Sequence, residues 1–135
     1  MKPLSQTRCW ELLPQAHVGR LAVVLDGEPD IFPVNFAVVD KRIVIRTAPG
    51  PKLNGALTGP SVAFEADVLD LARHTGWSVV ARGPAAQPEN LGVYIEALDM
   101  GVQPWAAGRR DRFIVITPTS ITGRVLGPAA TGHVW

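Results

Sequence analysis

The chain has 135 residues, 47% of them apolar, with thirteen glycines and twelve prolines, which suits one domain spanning residues 1–135 with a real core and many turns. Its formal net charge is only +1, which argues against a general nucleic-acid binder, since that class shows a basic excess or stripe. Cys9 is the single cysteine, so an intrachain disulfide and a cysteine-rich zinc site are excluded, and His17, His74 and His133 show no metal-ligand spacing.

No basic patch leads into an apolar run at the amino end, and no stretch approaches the roughly 18 apolar residues of a membrane helix. The expectation is a soluble cytoplasmic protein with no membrane partner. Ser5 to Ala16 reads as a helix capped by Ser5, with Cys9, Leu12, Leu13 and Ala16 near one face. Pro14 is expected to end it early. Gly19 to Leu25 reads as a strand, Asp26-Gly27 as a hairpin turn, and Asp30 to Val39 as the returning strand. Asp40-Lys41 makes a second tight turn before a strand over Ile43 to Thr47.

Pro49-Gly50-Pro51 breaks that strand, and Lys52 to Leu57 reads as a short helix stopped at Gly59-Pro60. A fourth strand is expected over Ser61 to Ala66, a loop over Asp67 to Thr75, and a fifth strand over Gly76 to Gly83. In that strand Trp77, Val79 and Ala81 share one face and Ser78, Val80 and Arg82 the other. Leu91, Tyr94, Ile95 and Leu98 repeat with helical period after Pro88. Gly101 to Arg112 reads as a loop holding Trp105, Arg109 and Arg110, followed by strands over Phe113 to Thr117 and Ser120 to Leu126. The fold expected is mainly β (α+β): an antiparallel split β-barrel of about six or seven strands with two or three short helices.

Two segments carry chemistry. Arg46, Thr47, Gly50 and Lys52 concentrate two cations, a hydroxyl and a flexible glycine beside a helix start. A phosphate monoester needs such donors: Arg offers a planar fork, Lys a compact charge, and glycine lets backbone amides approach. A solvated basic turn has the same composition. Pro33, Val34, Asn35 and Phe36 form a strand with a proline and one amide at its centre. Proline in a strand marks an edge or bulge, where a ligand can replace missing ladder bonds. Asn35 can pair with a planar heteroaromatic ring and Phe36 can pack on it; a bulged edge strand explains the same residues.

Trp77, Ser78 and Trp105 are candidates to cover an aromatic ligand, although core packing accounts for most tryptophans. Arg109 and Arg112 can bind an anionic substrate or line a solvated loop. Glu65 and Asp67, two apart on one strand face, permit an acid/base pair, and equally a pair of solvated strand-end carboxylates. No nucleophile elbow appears, so nucleophilic hydrolysis is unsupported.

In order and spacing these pieces resemble the pyridoxamine 5′-phosphate oxidase-like family, the FMN-binding split β-barrels, over about residues 8–126. The resemblance rests on Val18-Gly19-Arg20-Leu21-Ala22, Phe32 to Phe36, and Arg46-Thr47-Ala48-Pro49-Gly50-Pro51-Lys52. It continues through Ser61 to Glu65, Trp77 to Gly83, Pro104-Trp105 and Ile116 to Gly123. It implies a homodimer with FMN in a cleft between the chains, Pro33 to Phe36 along the ring, and Arg46, Thr47 and Lys52 at the ribityl phosphate. It implies that Trp77 and Ser78, or Trp105, reach the cofactor held by the partner chain. The implied activity is a flavin-dependent oxidoreductase that passes a hydride at the ring and acts on a small molecule that the sequence does not name. The substrate-phosphate arginines of the vitamin-salvage oxidases find no counterpart, so the chain is more similar to small flavin or deazaflavin oxidoreductases. Coenzyme F-420, a deazaflavin, is the alternative cofactor, haem occurs in some members, and a non-catalytic flavin store or redox sensor is the alternative role.

Overall fold

The structure, a computed structural model, describes residues 2–88 and 112–127. After a two-residue strand β1 (Lys2–Pro3), the Ser5 hydroxyl accepts from the Arg8 amide at 3.1 Å and opens helix α1 (Gln6–Leu12). The expected helix to Ala16 ends sooner: Pro14 tightens its last part into a 3-10 turn over Leu13–Gln15. Strands β2 (Val18–Leu25), β3 (Glu28–Val39) and β4 (Arg42–Thr47) follow as two hairpins. Both turns carry two residues at positive φ, Asp26 and Gly27 in the first and Asp40 and Lys41 in the second. That matches the twist of the flanking strands, as the sequence leads one to expect.

Helix α2 (Pro51–Thr58) comes next, then β5 (Val62–Asp70), β6 (Thr75–Gly83), the two-residue β7 (Ala85–Ala86), β8 (Arg112–Ile116) and β9 (Ser120–Leu126). The loop expected from Asp67 to Thr75 is instead a hairpin ribbon. Asp67, Val68, Leu69 and Asp70 pair with Ser78, Trp77, Gly76 and Thr75, and the turn is confined to residues 71–74. Val68 and Leu69 are exposed there, so no burial alternation betrays the strand. The helix expected over Leu91 to Leu98, and Trp105, Arg109 and Arg110 in the loop before Arg112, lie outside the described residues. Among the described residues no helix is long and apolar enough to cross a membrane.

Among the described residues nine strands form one sheet in the order β1-β9-β6-β5-β2-β3-β4-β8-β7, and every pairing is antiparallel. The sheet does not close on itself, so the mainly antiparallel split barrel expected from the sequence is the architecture observed. Its inner face buries Leu21, Val23, Val34, Phe36, Ile43, Ile45, Phe64, Val79 and Ile114 with Cys9, Leu13 and Leu53 from the helical segments. Phe36 and Phe64 meet edge to face with ring centroids 4.8 Å apart.

Residues opposite each other across antiparallel strands share a face. The register therefore places Pro33, Arg20, Glu65, Val80 and Thr122 in one row across the outer face. Asn35 and Val18, then Asp67, Ser78, Arg124 and Pro3, make up the adjoining row.

Gly19 sits under the Phe64 ring, which occupies the space where a β-carbon would lie. Gly19→Ala is expected to lower stability by about 1–3 kcal/mol, because Phe64 is fully buried and has no room to give. Equilibrium urea unfolding checks this, and an unchanged midpoint would show that the Phe36–Phe64 pair relaxes freely.

Candidate functional site

Strand β3 changes partner in mid-course. Its residues Glu28 to Asn35 pair with β2, and Phe36 to Val39 pair with β4. The β3–β4 ladder ends at Phe36 opposite Ile45; one step further in the same register would set Asn35 against Arg46, and there the strands have parted. Among the described residues, the edge of β3 away from β2 is therefore unpaired up to Asn35, and Pro33 brings no N–H to it.

Helix α2 starts beside this fork. Gly50 is its N-cap, with φ +155° and ψ −168°, a region essentially reserved for glycine. The Gly50 carbonyl accepts the first helical bond from the Asn54 amide at 3.0 Å, and no side chain caps this end. The first-turn amides thus keep their donor capacity and the positive end of the helix dipole. From that turn Lys52 reaches Phe32 of β3, its Nζ standing 5.7 Å from the ring centroid. Burial pushes the Lys52 ammonium below its ordinary pKa, so the charge lacks full solvation. On β4, Arg46 lies over the Phe113 ring at 5.5 Å. Thr47 is a buried polar residue whose hydroxyl donates to the Ala48 carbonyl at 3.2 Å.

The structure thus brings Pro33, Val34, Asn35, Phe36, Arg46, Thr47, Gly50 and Lys52 to one fork between β3, β4 and α2. Val34 and Phe36 turn their side chains into the core. Asn35 is half-buried on the outer face. Trp77 belongs to the core cluster at 8% exposure, and Ser78 faces outward three strands from β3. Trp105 lies outside the described residues.

The two rings under the cations, Phe32 and Phe113, escape a reading by motif because each contact joins segments distant in sequence. The same holds for Arg20. Its guanidinium spans Glu65 at 3.1 Å and Asp67 at 3.4 Å on the outer face. Only the β2–β5 register reveals that contact, although the two carboxyls stand out by their spacing. Burial, reinforced by Asp67 and opposed by Arg20, pushes Glu65 up to about 7.

The family model for pyridoxamine 5′-phosphate oxidase matches residues 5–125. Rv0080 of Mycobacterium tuberculosis is 35% identical over 137 residues, covering 95% of this chain and 88% of that protein. The solved structure of the FAD binding protein from Mycobacterium smegmatis shares 37% identity over 93% of this chain and 98% of its own, with a TM-score of 0.80. A FAD-binding protein from Mesorhizobium loti shares 27% identity over 92% and 96%, with a TM-score of 0.73.

Glu65 makes stability depend on pH. Its folded pKa of about 7 lies above the ordinary 4.5, so between these values the folded state keeps a proton that the unfolded chain releases. Stability is then expected to fall as pH rises from about 4.5 to 7, with the full cost present above 7. Glu65→Gln should flatten that slope and raise stability at pH 8 by up to about 2 kcal/mol, allowing for partial exposure. Urea unfolding of both proteins at pH 5 and pH 8 checks this; an unaltered slope in the variant rejects the role given to Glu65.

Proposed function

The chain belongs to the pyridoxamine 5′-phosphate oxidase family, and from that premise we propose that it binds a flavin nucleotide and works as a flavin-dependent oxidoreductase on a small molecule. The observation that supports this most directly is the fork itself. An unpaired strand edge, an uncapped helix start and the ring-mounted Lys52 meet there, with Arg46 at the adjoining end of β4. The names of two similar proteins speak of FAD, and FMN and FAD share the ring and the ribityl phosphate. FMN is the cofactor proposed, since the fork needs no more than that shared part.

In this reading Lys52, Arg46, Thr47 and the amides after Gly50 hold the ribityl phosphate. Each charge-assisted bond to it contributes about 1.5–3 kcal/mol. Pro33 to Phe36 present the β3 edge to the ring, with the Asn35 side-chain amide as donor and acceptor. When bound, the flavin supplies a ring that accepts and returns a hydride. The chain's part is to orient the ring and neutralise its phosphate; no side-chain base is required of it.

A homodimer with the cofactor at the interface is part of the same proposal. Val18, Val24 and Ile31 are 46%, 55% and 64% exposed and stand on the outer face beside Asn35. A second copy would cover them and bring its Ser78 toward the ring. Trp77, in the core behind Ser78, would act by fixing that strand.

Mass spectrometry of the chromophore copurified with the native protein is expected to give FMN. Released FAD or F-420 would keep the fork and change the cofactor, and a protein that binds none of the three would overturn the proposal. Arg46→Ala combined with Lys52→Ala should weaken flavin affinity about a hundredfold or more, read by quenching of flavin fluorescence; unchanged affinity removes the phosphate from the fork. Oxidoreductase activity predicts that a nicotinamide or deazaflavin donor reduces the bound flavin faster than free flavin, and equal rates would leave storage or sensing.

A further inference from the structure

The hairpin of β5 and β6 runs on past the core as a two-stranded ribbon, with its turn at residues 71–74. Alternation from Glu65 and Asp67 sets Leu69 on the outer face, 44% exposed, and Leu71 follows in the turn at 70%. A ribbon whose Val68, Leu69 and Leu71 are all exposed gains little from its own packing. Apolar side chains gathered at such a tip mark a contact surface. A second apolar patch lies at the other end of the outer face, where Val24 and Ile31 are exposed.

The two ends are complementary in charge. The β2–β3 hairpin end carries Asp26, Glu28 and Asp30, and from Leu21 to Asp40 the sequence has four acids and no Lys or Arg. The β5–β6 turn carries Arg73 and His74. Arg73 meets its own Asp70 at 3.8 Å with its side chain 83% exposed, so donors of its fork remain for a second carboxylate. The two ends are also symmetric about one row. In the row Asn35, Val18, Asp67, Ser78 the midpoint falls between Val18 and Asp67. Because β2 and β5 are antiparallel, four residues on from Val18 lead to Ala22, the partner of Ile31, and four on from Asp67 lead the opposite way to Leu71. Six residues lead to Val24 on one side and to Arg73 on the other. A two-fold axis through the midpoint exchanges the ends, as a self-complementary interface requires.

We propose that the β5–β6 ribbon is an arm that clasps a second copy of this chain, with Leu71 on the partner's Ala22 and Ile31 and Arg73 among the partner's Asp26, Glu28 and Asp30. The clasp rests on the homodimer reading above and not on the identity of the cofactor; it adds the place of the axis and the patches that hold the copies together. The same axis sets Ser78 of the partner subunit across from Asn35, so the contact proposed at the ring and the clasp follow from one arrangement. Sheets packed face to face keep their strand directions within about 30° of each other, which preserves these offsets. Each copy supplies one arm and one acidic hairpin, so two equal clasps form in one dimer.

Analytical ultracentrifugation of the full chain, with whatever cofactor it carries, is expected to show a dimer. Leu71→Asp should raise its dissociation constant about tenfold or more, with far-ultraviolet circular dichroism unchanged because Leu71 packs on nothing in its own core. Cross-linking gives a second check that is independent of affinity. Within one copy Ile31 is level with Ala22 and Ala63, eight residues along β5 from Leu71. That is about 27 Å at 3.4 Å per residue, beyond the reach of a disulfide. Oxidation of an equimolar mixture of Leu71→Cys and Ile31→Cys chains, after subunit exchange, should give a covalent dimer, and oxidation of either variant alone should not; the native Cys9 is buried. A monomeric wild-type protein would overturn the homodimer reading and the clasp together. A wild-type dimer whose dissociation constant Leu71→Asp leaves unchanged, or a mixture that yields no covalent dimer, would overturn the clasp alone.

Discussion

A β-strand has two edges, and among the described residues β3 never uses both at one residue. It gives one edge to β2 as far as Asn35 and the other to β4 from Phe36 onward. Because no residue of β3 pairs with β2 and β4 at once, the two ladders are free to diverge, and the sheet opens where the pairing changes hands. An unpaired edge is a liability unless something covers or uses it. Here α2 begins at the opening and a proline removes one of the edge donors. The core beneath is arranged to hold the opening in shape: Phe36, the first residue of the second ladder, meets Phe64, and Phe64 lies on Gly19. Any larger residue at Gly19 would push on the aromatic pair and, through it, on the residue where β3 changes partner.

The two faces of the sheet are under different constraints. The inner face is apolar and closely packed, with Leu21, Ile43, Ile45, Phe64, Val79 and Ile114 fully buried. The outer face mixes exposed aliphatic side chains with the Arg20, Glu65 and Asp67 network. Burial, and then Asp67 alongside with only one guanidinium to offset the pair, pushes Glu65 up to about 7. Such a network adds little stability for its cost. It does set conditions on whatever surface covers this face, since a partner that buried Glu65 and Asp67 without further donors would leave a carboxyl pair short of solvation.

Much of the fold was legible because local chemistry decided it. Asp26-Gly27 and Asp40-Lys41 tolerate positive φ, so both hairpin turns stood out. The alternation in β6 put Trp77, Val79 and Ala81 on one side, and all three are in the core. The outer end of β5 was illegible for an equally plain reason: Val68 and Leu69 pair in a ribbon that extends past the core, and an exposed ribbon has no burial pattern to read. The site divided in the same way. Cations beside Gly50 were visible as a cluster, because neighbours in sequence remain neighbours at a helix start. Register was not visible, so Arg20 across from Glu65, Lys52 on Phe32 and Arg46 on Phe113 emerged only from the pairing of distant strands.

The Lys52 contact bears on the proposal that the fork holds a phosphate. A lysine at a solvated turn is already satisfied by water and gains little from a phosphate. Lys52 is in a different state: it stands against an aromatic ring, part of its hydration is gone, and its pKa is lowered in consequence. The quadrupole of Phe32 returns some of that loss, typically about 0.5–2 kcal/mol, and not all of it. A cation that has already given up water pays less desolvation when a counter-charge arrives. Resting on Phe32 also limits the rotamers of a long side chain, so less conformational freedom remains to be lost on binding. Arg46 likewise stands over a ring, Phe113, at 5.5 Å from its centroid. In the proposed reading Phe32 is therefore as much a part of the phosphate grip as the Lys52 charge itself.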